Sequence, residues 1–123
     1  DTDTTTLFNE ELFRYRELLK FADRNFSYGK TRGWQTDRGR VLLKYGMPSE
    51  REQHPFFGET RAYESWFYSE IQGGVYFHFV DMSGNGRYEL VHSTAQFEVK
   101  YENWYNEYVL KNRTGYDPND EYK

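Results

Sequence analysis

Apolar positions recur at alternating steps of four and three from Phe8 through Leu12, Tyr15, Leu19 and Ala22 to Phe26. That spacing places them on one stripe and predicts a helix over residues 7–26. Arg14, Arg16, Glu17, Lys20, Asp23 and Arg24 mostly fill the other faces, and Gly29 ends the run. A threonine of the 4–6 run suits the N-cap, with Glu10 and Glu11 near the positive end of the dipole. A second, shorter helix is expected from Thr36 as cap and Asp37 in the first turn, with Val41, Leu42 and Tyr45 as its apolar face. Gly46 followed by Pro48 stops it. So short a helix does not hold alone and depends on packing.

From residue 62 to residue 92 the period changes to two, which predicts a three-stranded antiparallel meander. Its strands are Tyr63–Glu70, Val75–Met82 and Arg87–His92, joined by Gln72-Gly73 and by Ser83-Gly84-Asn85-Gly86. A two-residue first turn pairs Tyr68 with Phe77, Trp66 with Phe79 and Glu64 with Asp81. The second turn centres on Gly84-Asn85 or on Asn85-Gly86, and both registers put Tyr88, Leu90 and His92 on the face of Trp66 and Phe79. That face is the better core. The opposite face, with Phe67, Tyr76, His78, Val80 and Val91, is mixed but too aromatic to be wholly solvated. Beyond it, Tyr101, Trp104, Tyr105 and Tyr108 fall at i, i+3, i+4 and i+7, predicting an amphipathic helix over 102–110. Residues 1–6 read as a linker, 7–112 as one α+β domain, and 113–123 as a polar tail.

Composition sharpens this picture. The chain has 123 residues, with three Trp, twelve Tyr and ten Phe against fifteen Leu, Ile and Val, so the core is built largely from rings. A net charge of −4 argues against a nucleic-acid partner, and a mean hydropathy of −1.04 against a membrane span. Without cysteine there is no disulfide, thiol nucleophile or Cys-type zinc site.

The block Gly33-Trp34-Gln35-Thr36-Asp37 resembles the signature of the GWxTD domain family. The likeness continues through Asp37-Arg38-Gly39-Arg40 and Lys44-Tyr45-Gly46 with Pro48, then Tyr63-Glu64 with Trp66 and Tyr68. It ends with Phe79-Val80-Asp81, Ser83-Gly84 and Tyr88-Glu89-Leu90-Val91-His92-Ser93. The resemblance implies a bacterial, often exported protein commonly carrying other domains, hence an extracytoplasmic location, although no signal peptide is visible. It implies no assigned activity and no catalytic residue. A weaker likeness, in layout only, is to the small α+β lipoproteins of the outer-membrane β-barrel assembly machinery, which are adaptors.

Each residue of the motif has a local structural role: Gly33 for a tight turn, Trp34 to plug the core, Thr36 and Asp37 to cap the helix. The alternative is a ligand loop. Glu64 and Asp81, with His92 at the same end, are the one acid–base constellation. Facing acids need a cation between them, and Arg38 or Arg40 is the expected supplier. Asp81 to Gly86 matches half of an EF-hand loop, but His92 occupies the position of the bidentate Glu, so a hairpin turn is expected and no metal or other cofactor. His54 and His78 are dispersed, and the common hydrolase and nucleotide templates are missing. The residues therefore point to a noncatalytic interaction or scaffold domain, its contact surface formed by Phe67, Tyr76, Val80 and the final helix. A protein or a neighbouring domain is the expected partner. A carbohydrate-binding module using exposed Tyr and Trp is the alternative, and a cryptic hydrolase using Asp37, Glu64, Asp81 and His92 a third.

Overall fold

The computed structural model describes residues 2–110. It is an α+β arrangement of α1 (Thr2–Phe26), a 3-10 turn (Gly33–Gln35), α2 (Asp37–Tyr45), β1 (Glu50–His54), β2 (Tyr63–Tyr68), β3 (Val75–Asp81), β4 (Tyr88–Ser93) and a π-helical turn (Tyr105–Val109). Two compact units divide the chain, Asp1–Met47 and Pro48–Lys123. The helix α1 begins at Thr2, ahead of its expected start at residue 7. The lower helix propensity of threonine is worth only tenths of a kcal/mol per residue and does not stop a helix. The expected tail, 113–123, lies outside the described residues.

In the first unit, the chain turns tightly after α1, with Tyr28 and Thr31 exchanging backbone hydrogen bonds of 3.0 and 2.8 Å. The Ser27 hydroxyl, which donates to the Asp23 carbonyl, accepts from the Gly33 amide. Arg32 pairs with Asp23 at 2.7 Å, and each holds the other in its charged form. The Arg32 amide also donates to the Gln35 side chain. These bonds lay Gly33 against the last turns of α1. A Cβ built on Gly33 would overlap the carbonyl of Ala22, and one on Gly39 would overlap the carbonyl of Gly33. The 3-10 turn and both helices thus meet backbone to backbone through two glycines. Thr36 caps α2 as expected: its hydroxyl accepts from the Gly39 amide at 3.1 Å and donates to the Gly33 carbonyl at 2.6 Å. Gly46, at φ 89°, closes α2 by donating its amide to Leu42.

The second unit holds four antiparallel strands in the order β1-β2-β3-β4, one more than the sequence suggests. The added strand is β1, whose Glu50-Arg51-Glu52-Gln53-His54 carries no aliphatic or benzenoid side chain to mark it as a strand. The first hairpin turn does centre on Gln72-Gly73, both at positive φ, with the Gly74 amide bonded to Ile71. The ladder, however, pairs Tyr68 with Val75, Trp66 with Phe77 and Glu64 with Phe79. Ser69 and Glu70 leave the ladder because the Ser69 amide bonds the hydroxyl of Ser49, just before β1. The slip is two residues, so every side chain keeps its expected face. Trp66, Tyr68, Val75, Phe77 and Phe79 are all buried, as the better core face should be.

The second hairpin takes the register centred on Gly84-Asn85, pairing Asp81 with Tyr88 and Phe79 with Leu90. A bulge follows, after which His78 pairs with His92 and Phe77 with Ser93. One extra residue in β4 reverses the alternation, so His92 lies on the opposite face from its expected one. Residues 102–110 also differ from the expected regular helix. The Leu110 amide reaches back five residues to the Tyr105 carbonyl at 3.1 Å, and the buried residue is Val109 rather than one of the aromatic stripe.

The glycine contacts set a stability test. Gly39→Ala is expected to destabilise the protein by about 1–3 kcal/mol through backbone overlap, against about 1 kcal/mol for Thr36→Ala through loss of the cap. Urea melts measure both, and a Gly39→Ala protein as stable as the parent would refute the close approach.

Candidate functional site

The residues of the GWxTD block separate by role. Gly33 and Thr36 are buried and structural, and Asp37 sits in the first turn of α2. Gly33 serves close approach rather than a turn of unusual φ. Trp34 is 44% exposed, so it does not plug a core; the 3-10 turn points its ring outward, beside the two residues that need burial. The Arg38 guanidinium lies 4.4 Å above the ring of Phe26, and Arg40 takes an exposed position on α2.

The acids of the sheet do not face each other. Glu64 stands opposite Phe79, and Asp81 opposite Tyr88. Glu64 is almost wholly buried, and Arg51 of β1 reaches its carboxylate at 2.5 Å while lying 5.6 Å from the Trp66 ring. The strand missed in the sequence thus supplies a cation for this acid. Asp81 instead accepts from the amides of Gly84, Asn85 and Gly86 at 3.1, 3.2 and 2.9 Å, and so ties the hairpin that resembles half a calcium loop. Among the described residues no group of three His, Asp or Glu is placed to hold a metal ion.

The second face of the sheet carries a stack that sequence reasoning did not assemble. Tyr76 and His78 lie 5.8 Å apart and nearly parallel, His78 and His92 5.9 Å, and the Trp104 ring covers His78 at 4.2 Å. The Ser65 hydroxyl and His78 Nδ1 share a 2.7 Å hydrogen bond, and the Tyr101 amide donates to His92 Nδ1. Burial, with the neighbouring His92, pushes His78 down to about 4; burial likewise lowers His92. A Ser–His contact is the beginning of a nucleophile–base pair. His78, however, is a poor base at this value, and its face is spent on Trp104. The signal that would have found this pair is the strand register, which sets Ser65 opposite His78. Of the residues of the hydrolase reading, Glu64 and Asp81 lie on one face of the sheet and His92 on the other, while Asp37 belongs to the first unit and is described there.

The contact surface expected on this face is also altered. Val80 is fully buried with Val91 and Val109, packed by Tyr63, Met82, Trp104 and Tyr108. The π-helical turn places Val109 over it, so Val80 is core. Phe67 is half-buried, its ring 4.8 Å from that of Tyr76, and Tyr76 is 46% exposed.

Two outcomes follow for this face. Val80→Ala is expected to cost about 2 kcal/mol, while Tyr76→Ser stays within about 0.5 kcal/mol of the parent; equal losses in chemical denaturation would return both to one class. Unfolded histidine takes up its proton near pH 6.5, whereas His78 stays neutral to about 4, so its contribution is complete above pH 6.5 and drains away as pH falls through that window. The stability difference between the parent and His78→Gln is expected to shift by about 2 kcal/mol between pH 7 and pH 4.5, allowing for partial exposure. A pH-independent difference would contradict a neutral, buried His78.

No family model, no curated protein and no solved structure matches this chain, so the GWxTD resemblance rests on its residues alone.

Proposed function

We propose that this chain is a noncatalytic protein-interaction module of the GWxTD type, part of an exported bacterial protein, and that its contact element is the N-terminal half of α1. One observation carries the reading. The apolar stripe predicted along α1 is continuous, yet only its C-terminal end is covered: Ala22 and Phe26 are buried, while Phe8 is 66% exposed and Leu12 and Tyr15 are exposed with it. Phe13, at 64% exposure, widens the bare part. The polar side of the same turns satisfies itself through the Arg14–Glu11 and Lys20–Glu17 pairs, at 2.9 and 3.5 Å. An amphipathic helix with rings at these spacings fits an apolar groove on a protein or a neighbouring domain, its aromatic residues acting as anchors. This moves the contact from the sheet, where Val80 is core, to the helix. A carbohydrate-binding reading gains less support from the final segment, where the Trp104 ring is stacked on His78.

The test combines Phe8→Ser with Phe13→Ser. Melting is expected to change by no more than about 0.5 kcal/mol. A photo-crosslinker placed at Leu12 in producing cells is expected to capture one protein, and a crosslinker at Tyr76 none. A large loss of stability in the double variant would show the stripe to be ordinary core, and equal capture from both positions would remove the specific contact.

A further inference from the structure

Beyond that contact, the second unit contains a small-molecule-sized cavity of about 460 Å³, lined by His54, Pro55, Phe57, Thr60, Tyr63 and Tyr105. We infer that this cavity is a binding site for a quaternary ammonium group, carried on a small molecule of the choline type or on a trimethylated lysine side chain. Its volume lies within the range of about 300–1,000 Å³ usual for ligand sites.

The walls are rings, two stacked and a third set across them. His54 lies flat on Tyr63, with centroids 4.3 Å apart and planes 11° apart, while Tyr105 stands at 83° to Tyr63 with centroids 5.7 Å apart. Phe57, 82% exposed, is held at the mouth by a tight turn in which the Thr60 hydroxyl donates to the Phe57 carbonyl. This loop is fastened to the π-helical turn: the Arg61 amide donates to Val109, and its guanidinium to the Tyr108 carbonyl. The cage is thus preorganised by backbone bonds from both sides, which lowers the ordering cost of binding.

Charge selects the ligand. Among the described residues no lysine or arginine lines the cavity, and the Glu52 carboxylate stands 3.5 Å from Nε2 of His54, one of the lining residues. Burial raises the Tyr63 hydroxyl, and the proximity of Tyr105 and Glu52 raises it further, a sign of negative surroundings. Aromatic faces present negative quadrupole density, and a desolvated cation over such a face gains more than a neutral group of the same shape. A neutral sugar would use the rings but gain nothing from Glu52.

The experiment is a titration of the 123-residue chain followed by amide NMR at pH 8 and constant ionic strength. Its probes are choline chloride, a trimethyllysine peptide, the neutral isostere 3,3-dimethylbutan-1-ol and methyl glucoside. Choline is expected to shift the amides of Phe57, Thr60 and Tyr105, with the isostere about tenfold weaker, the ratio that about 1.4 kcal/mol of cation attraction gives. Tighter binding of the peptide would identify a protein-borne source; tighter binding of choline, a small molecule. Phe57→Ala, at an exposed position that folding does not need, is expected to abolish the shifts, and Glu52→Gln to weaken them several-fold. Equal binding of the isostere, preferential binding of the glucoside, or no choline shift up to about 50 mM would each overturn the assignment.

Discussion

One extra residue in β4 governs the second face of the sheet. Strict alternation would already set Val91 on the side of Val80, but it would carry His92 to the side of Trp66 and Phe79. The bulge between His78 and Phe79 lets Val91 and His92 point the same way. Val91 then completes the cluster with Val80 and Val109, and His92 completes the stack with His78. The Tyr101 amide, positioned by that histidine, begins the segment that places Trp104 over His78. Covering this face by so short a turn is possible because three valines and a stack of rings fill it with few residues. Bulges reaim side chains where pairing alone would misplace them.

The two buried acids meet the same electrostatic demand in different ways. A charge removed from water needs a partner of fixed geometry. Glu64, in the middle of β2, obtains a guanidinium from the neighbouring strand, whose register places Arg51 opposite Trp66 and two residues from the acid's own partner, Gln53, along the ladder. Asp81, at the end of β3, meets the amides of the turn that it begins. The first solution ties one strand to another; the second makes the hairpin its own counter-charge.

What could be read from the sequence follows from how local each signal is. The stripe from Phe8 to Phe26, the Thr36 cap and the Gly46 stop depend on near neighbours and were legible. So was the face of each residue in β2 and β3, because the two-residue slip made by Ser69 preserves parity. β1 was not legible: an edge strand of alternating charge has no apolar period, and its pairing is decided by β2. The bulge was not legible either, since Tyr88 to His92 read as unbroken alternation in the sequence. The candidate site suffered accordingly. Glu64 was recognised as a buried acid, but Arg51 lay in the unrecognised strand, and the Ser65–His78 contact exists only once the register is known. Trp34 was misplaced because a tryptophan in a motif invites burial, while here the neighbouring glycines consume the space.

β1 also has a consequence for behaviour at high concentration. A sheet this rich in rings invites other chains to add strands along an open edge and grow into fibrils. On the β1 side the edge presents Glu50, Arg51, Glu52 and Gln53, short in length and alternating in charge. A second copy approaching in register would set like charges or strand its own polar side chains against them. The strand that carries the least hydrophobic information thus serves as a gatekeeper, keeping the aromatic sheet finite.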